Sequence, residues 1–297
     1  MTRSFEFLTI HERPAKPRTT GRTCLADIGV PNPVVQGTLE LWHDSMDTVK
    51  ISAFTMTADD TALREKIRLY NDYGVDTQAG GPVLELARLQ GKLDQTLERI
   101  ADMGFRSLEV SAEALPMEYT AEEEAAVIKK AKDLGLETHG EVGKKFPTND
   151  PLRNADGSLN VEATYRAVQM YLDAGCDFVY LEGHLLRQLI GDQAERADEF
   201  GGAIIEAVEK IGLDKVVFEV PFTYLPYAAK RILQHWLVTA FGPDVNIGNV
   251  LIGEIAELDV IRCGMFPVFG ARNGDHPYIL SSAESPTGIA TGEWWRG

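Results

Sequence analysis

The sequence predicts a single (β/α)8 barrel, an α/β fold in which eight parallel strands close on themselves inside a ring of helices. Three observations carry that prediction. Short β-branched runs alternate with amphipathic helical segments from about residue 23 to 265. Most helical segments end in a glycine suited to a left-handed cap, and a D-x-G or L-G turn recurs before the strands. The chain has 297 residues, 44% hydrophobic and 25% charged, which suits one large domain with a full core. Eight strands in this rhythm favour a closed barrel over an open doubly wound sheet.

Taken in order, the strands are expected at residues 23–28, 48–53, 75–79, 107–111, 137–143, 178–183, 215–220 and 246–252. The capping glycines are Gly74, Gly104, Gly135, Gly175, Gly212, Gly242 and Gly264. Thr120-Ala121-Glu122-Glu123 reads as a capping box, with Glu123 at the third helical position. Three stretches fall outside the rhythm, so the barrel itself is assigned to residues 23–270. Residues 1–22 contain H-E-R-P-A-K-P-R, too proline-rich for a helix, and are expected to form an arm. Residues 146–160 follow the fifth strand and are expected to form a long active-site loop. Residues 271–297 form a tail without periodicity. Its Trp294-Trp295 pair points to packing on the barrel or on a neighbouring subunit, which leaves a homo-oligomer open, as it does a flexible tail.

Acidic residues outnumber basic ones by 45 to 29, for a net charge of -16. Such a chain repels phosphate backbones and anionic bilayers, so neither nucleic acid nor membrane is expected as a partner. A small anionic substrate then needs a local group of lysines or a metal ion. Cys24, Cys176 and Cys263 are odd in number and widely spaced, which fits buried thiols in a reduced compartment. No apolar run reaches membrane-spanning length, and a cytoplasmic location is expected.

The chemistry is expected where charges interrupt apolar strands: V-K50-I, L-E109-V, G-E141-V-G-K144-K145, L-E182-G and F-E219-V-P. Helices cover the outside of such a barrel, so these side chains must point inward, where burial is costly without a partner or metal. Any one of them suits a structural ion pair. Together they place carboxylates and lysine in one concavity at the face where barrel active sites form. On the fifth strand, His139, Glu141, Gly143 and Lys145 share a face by alternation. Lys145 is therefore the candidate reacting group beside Glu141, and Lys144 is expected to bind at the rim or form a salt bridge.

The acidic set Asp27, Glu109, Glu141, Glu182 and Glu219 is oxygen-only, which suits Mg2+ better than zinc. His139 reads as an outer partner or a satisfied core residue. His11, His43, His184, His235 and His276 are too scattered to propose as ligands. Gly80-Gly81 closes the third strand ahead of a helix, and its N–H groups can receive a carboxylate or phosphate or simply make a tight turn. No Ser/His/Asp order, P-loop or G-x-G-x-x-G fingerprint supports a hydrolase, kinase or dehydrogenase.

The segments A-D27-I-G, V-K50-I, A-G80-G81-P-V-L-E85, L-E109-V-S, G-E141-V-G-K144-K145-F-P, L-E182-G, V-F-E219-V-P and V-N246-I-G-N249 resemble the phosphosulfolactate synthases. The resemblance runs over about residues 23–264, and E-V-G-K-K-x-P is its most specific motif. It implies a Mg2+-dependent barrel lyase that adds sulfite to phosphoenolpyruvate. It also implies Lys145 as the general acid, strand-end carboxylates at the metal, and Asn246 among the groups around the substrate with Lys50, Lys144, Gly80 and Gly81. The sequence departs from the family pattern where cations are expected. Ile28 follows the first-strand aspartate in place of lysine, His184 stands for an arginine after the sixth-strand E-G, and Arg262-Cys263 stands for paired arginines. Ser52-Ala53-Phe54 replaces a glycine-rich strand end. R-P-A-K-P-R also resembles the heat-stress-associated branch of the same barrel family. A lyase acting on a different carboxylate, and a non-catalytic stress-associated protein, therefore stay open.

Overall fold

The structure, a computed structural model, describes residues 7, 11–52, 57–115, 119–145, 150–221 and 227–263. Its eight strands pair in parallel, each with the next, and the eighth returns to the first. They are β1 (Thr23–Asp27), β2 (Thr48–Ile51), β3 (Asp76–Ala79), β4 (Ser107–Val110), β5 (Glu137–Val142), β6 (Val179–Leu181), β7 (Val216–Glu219) and β8 (Ile247–Val250). Each lies inside an expected run and is a residue or two shorter at one or both ends; Ala53 lies outside the described residues. The wrapping helices are α1 (Asn32–Trp42), α2 (Asp60–Asp72), α3 (Gly81–Leu89), α4 (Leu93–Asp102), α5 (Ala121–Asp133), α6 (Val161–Asp173), α7 (Gly183–Ile190), α8 (Ala197–Ile211), α9 (Tyr227–Phe241) and α10 (Ile255–Arg262).

Local sequence explains the helix ends. The Thr120 hydroxyl accepts the Glu123 N–H at 3.2 Å while the Glu123 carboxylate takes the Thr120 N–H, the expected capping box at α5. Asp59 caps α2 by accepting the N–H groups of Thr61 and Ala62. Gly74, Gly104, Gly135, Gly175, Gly212 and Gly242 all adopt positive φ at the turns into strands. Gly264 and the expected tail, residues 271–297, lie outside the described residues.

Two layers of side chains follow from strand alternation. Leu25, Val49, Leu108, Val142, Leu181 and Phe218 join the large core between strands and helices. Cys24, Phe178, Tyr180 and Val217 form a separate small cluster that fills the barrel itself. Cys24 and Cys176 are buried and all three cysteines are free thiols.

The arm closes the N-terminal mouth. Arg13 reaches Asp259 at 2.9 Å, the Ser45 carbonyl at 3.1 Å and the Thr23 hydroxyl at 3.0 Å. Arg18 holds Asp47 at 2.9 Å, and His11 meets Asp244 at 2.9 Å. Among the described residues no helix is long and apolar enough to cross a membrane.

Candidate active site

At the C-terminal mouth, side chains from four strands meet across the barrel. Lys50 of β2 places its ammonium between Glu109 of β4 and Glu219 of β7, in hydrogen-bond contact with both. Strands this far apart in the ring can touch only through the interior, so all three side chains point inward, as expected. The same ammonium lies 4.3 Å from the centre of the Tyr180 ring, an arrangement that favours the cation. Burial lowers the affinity of Lys50 for its proton, but Glu109, Glu219 and Glu141 outweigh that and raise its pKa above the ordinary value.

Lys145 makes the second cationic contact. Its ammonium donates to Glu141 at 2.8 Å and lies 3.9 Å from Glu85. β5 ends at Val142, and Gly143 turns the chain with φ +106°, so Lys145 folds back over Glu141. A Cβ at Gly143 would sit 3.0 Å from the Glu182 Cβ and 3.2 Å from Leu185, so both the turn and the space call for glycine. Lys145 lies beside Glu141, but alternation along β5 does not place it there. The strand stops short of the residue, and the glycine turn brings it back.

Electrostatics divides the carboxyls. Burial raises the Glu141 pKa, yet Lys145 and Lys50 more than reverse this and hold it at about 2. Burial pushes Glu219 up to about 7 against the pull of Lys50, and raises Glu109 with help from Glu141. Glu182, just past β6, accepts the His184 N–H at 3.0 Å. Burial and then the charges of Glu141 and Glu219 raise it well above the carboxylate range. For Lys145, burial is overcome by Glu141, Glu109, Glu182 and Glu85, so it stays an ammonium.

Two residues to which the sequence analysis gave no role complete the site. Ser111 contacts Glu141 and Glu85 with one hydroxyl, the latter at 2.8 Å, and its oxygen lies 3.5 Å from the Lys145 ammonium. Its signal was present, because Ser111 lies two residues beyond Glu109 on the same strand face. Glu85 lies on α3 and also accepts the Ala114 N–H at 3.1 Å. Strand patterning has no reach over a helix residue of this kind.

Below the charged layer, Tyr180 donates to Gln78 at 2.8 Å and Gln78 meets His139 at 3.1 Å. His139 stacks on Phe178, with ring centres 3.9 Å apart, and burial pushes its pKa down to about 3. A neutral ring that accepts at Nδ1 from the Gln78 amide carries its hydrogen on Nε2. Although Glu137, His139 and Asp177 gather potential ligand atoms, that tautomer offers a metal no lone pair. His139 is a satisfied core residue.

Other expected members sit elsewhere. Asp27 is buried but turns away from the ring, because Cys24 takes the inward direction on β1 and parity sends Leu25 and Asp27 outward. It pairs with Lys66 of α2 at 2.6 Å and accepts from Tyr70 at 3.1 Å and from the N–H groups of Gly29 and Val30. Asn246 lies at the opposite mouth, ahead of β8. It accepts the Arg22 N–H at 2.8 Å and donates to the carbonyls of Thr19, Leu213 and Val216. It is a structural clamp for the arm and lies far from the carboxylate ring along its own strand. The anion at the α3 N-terminus is the protein's own, because the Gly81 N–H donates to Glu109. A Cβ at Gly81 would lie 2.6 Å from that of Ser111, and one at Gly80 would lie 3.4 Å from the Lys50 stem. The glycine pair therefore makes room for the ring. Lys144 pairs at the rim with Glu113 at 3.1 Å, and its N–H donates to Asp150 at 3.0 Å. Of the expected loop, residues 150–160 form a small hairpin closed by the Arg153–Leu159 bridge, and residues 146–149 lie outside the described residues.

Glu109, Glu141 and Glu219 can bring one carboxylate oxygen each within 4.8 Å of the others, a spacing and a donor chemistry that fit a hard divalent cation. Among the described residues, five carboxyls, Glu85, Glu109, Glu141, Glu182 and Glu219, gather here around the ammoniums of Lys50 and Lys145. Either protons or a cation must offset that surplus.

A profile of the family described as (2R)-phospho-3-sulfolactate synthase (ComA) matches residues 11–267. The phosphosulfolactate synthase of Methanothermobacter thermautotrophicus is 30% identical over 264 residues, covering 88% of this chain and 95% of that protein. That of Methanocaldococcus jannaschii is 30% identical over 248 residues, 82% of this chain and 92% of its own. The Bacillus subtilis phosphosulfolactate synthase is 26% identical over 262 residues, covering 87% and 95%. Among solved structures, the putative copper homeostasis protein CutC from Streptococcus agalactiae superposes with a TM-score of 0.51 at 9% identity, covering 78% of this chain and 99% of that one. The YdjI aldolase from Escherichia coli K12 gives 0.50 at 11% identity, covering 86% and 93%. At such identities these two likenesses speak for the fold alone.

Proposed function

Because the chain belongs to the phosphosulfolactate synthase family of lyase-type enzymes, we propose that it adds sulfite, or a related nucleophile, to phosphoenolpyruvate or a related enolpyruvate-type acid. The observation that carries this reading is the Lys145 ammonium, 2.8 Å from Glu141 at the mouth of the barrel and held protonated by the surrounding carboxylates.

In the proposed step the nucleophile's lone pair forms a bond to the methylene carbon. The C=C pair moves toward the substrate carboxylate, and the adjacent carbon takes a proton from Lys145, which is left as a neutral amine. The raised pKa of Lys145 makes it a donor in the resting state and not a base. Glu141, held ionised, fixes the ammonium, while Ser111 and Glu85 restrict where that pair can sit. Lys50 supplies a second positive charge for a substrate anion. Glu109, Glu141 and Glu219, with Glu182 beside them, would hold Mg2+. When bound, that ion would stabilise enediolate charge as a Lewis acid. The test is magnesium-dependent consumption of phosphoenolpyruvate in the presence of sulfite, followed by product NMR. No turnover of that pair or of its close analogues would overturn the reading.

A further inference from the structure

Outside the carboxylate ring, a cleft of about 500 Å³ opens beside α7, lined by Arg153, His184, Arg187, Gln188, Asp192 and Arg196 among others. Three guanidiniums converge here in a chain whose acidic residues outnumber its basic ones by 45 to 29. Arg187 is committed to Asp192 through Nε and Nη2. Arg153 and Arg196 have no carboxylate partner among the described residues. Arg153 donates from Nη1 to the Gln188 side chain at 2.9 Å, and Arg196 donates to the Gln188 carbonyl. The other acid beside them, Glu195, accepts the Gln193 N–H at 2.8 Å and lies over Gly191.

Arg153 Nε and Gln188 Nε2 are buried donors with no hydrogen-bond acceptor among the described residues. A buried donor without an acceptor costs free energy, and guanidinium forks match tetrahedral oxyanions in geometry as well as charge. The cleft also shares a neighbour with the ring. His184 lines it, while the His184 N–H is held by Glu182.

We propose that this cleft is a rim subsite for a tetrahedral oxyanion, a phosphate or sulfonate group, with Arg153, Arg187 and Arg196 as its cationic ligands. Its assignment to the substrate rests on the reading above; oxyanion binding itself does not. Asp192 tunes the subsite by holding Arg187 in place while competing with the ligand for its charge.

Calorimetric titration of the full chain with inorganic phosphate and, separately, with methanesulfonate tests the subsite. Arg153→Ala and Arg196→Ala should each weaken binding about tenfold or more, as the loss of a charge-assisted contact implies. Asp192→Asn should tighten binding, an outcome that misfolding would not produce. Lys145→Ala should leave it unchanged, so failure of the proton-transfer reading stays separable. The tighter of the two probes identifies the group. Binding of neither probe, or equal binding by the parent and both arginine variants, overturns the subsite.

Discussion

Glu141 and Lys145 are four positions apart, and their charged atoms lie 2.8 Å from each other. Along an extended strand four residues span about 13 Å, so the pair exists because the strand stops at Val142 and Gly143 turns the chain back. Gly143→Ala should therefore act on the pair as well as on the backbone. A forced positive φ typically costs about 1–3 kcal/mol, so the melting temperature should drop by several degrees. Turnover should drop further than the stability loss explains. Unchanged melting and turnover would remove the glycine from this role.

Lys145→Ala is expected to lower turnover by about 10²–10⁴-fold, the usual worth of a positioned acid. Lys144→Ala should do much less, because its ammonium is engaged by Glu113 at the rim. The comparison is of kcat on one active substrate. Equal turnover in Lys145→Ala and the parent would end the proton-donor assignment.

Mg2+ should bind through the ring with release of protons, since Glu219 stands at about 7. Affinity should rise as pH goes from 6 to 8, and the binding heat should depend on the buffer's ionisation enthalpy. Glu141→Gln and Glu219→Gln should each weaken binding strongly, whereas Asp27→Asn should not. If Asp27→Asn proved the most damaging to Mg2+ binding, the metal would have to lie outside this ring. Its expected effect is on stability instead, because breaking the buried pair with Lys66 costs about 3–5 kcal/mol.

Glu113 gives a pH-dependent signature at the rim. Burial pushes its pKa from 4.5 up to about 7, with Lys144 opposing and Glu141 reinforcing the rise. Between those values the folded state keeps a proton that the unfolded chain releases. The stability this group contributes is complete below about pH 4.5 and is lost as pH climbs through 7. Glu113→Gln should therefore gain melting temperature relative to the parent between pH 5 and pH 8. A difference independent of pH would show that the carboxyl is not held protonated.

Asn246→Ala should cost about 2–3 kcal/mol, because it strips partners from buried backbone groups. The kcat of the folded protein should stay near the parent's. A selective loss of kcat without loss of stability would return Asn246 to the substrate.

The barrel was legible because strand length, capping glycines and apolar runs are local properties, each written in a few adjacent residues. The ring was legible for a related reason: Lys50, Glu109, Glu141 and Glu219 are charges where an apolar residue is expected. Parity, applied to β1, also separates Asp27 from them, since Cys24 and Ala26 take the inward positions. Glu85 and Lys66 were not legible in this way. They are buried charges on helices, and whether such a residue faces the ring or the back of a strand depends on how closely α3 and α2 approach. Asn246 shows the remaining gap. Alternation gives a direction but not a height, and the residue lies at the opposite mouth of the same interior.

The arm that closes the N-terminal mouth can be seated only after nearly all of the barrel has been synthesised. His11, Arg13 and Arg22 lean on Asp244, Asp259 and Asn246, partners separated from them by 233, 246 and 224 residues. A chain emerging from the ribosome makes its own stopper first and the rim that receives it last. Contacts of such long sequence separation form late and pay the full entropy of closing the loop. Until β8 has been made the seam beside β1 lacks its second strand, and until α10 has followed it lacks the Asp259 contact that seats Arg13, so the barrel closes along that one line last.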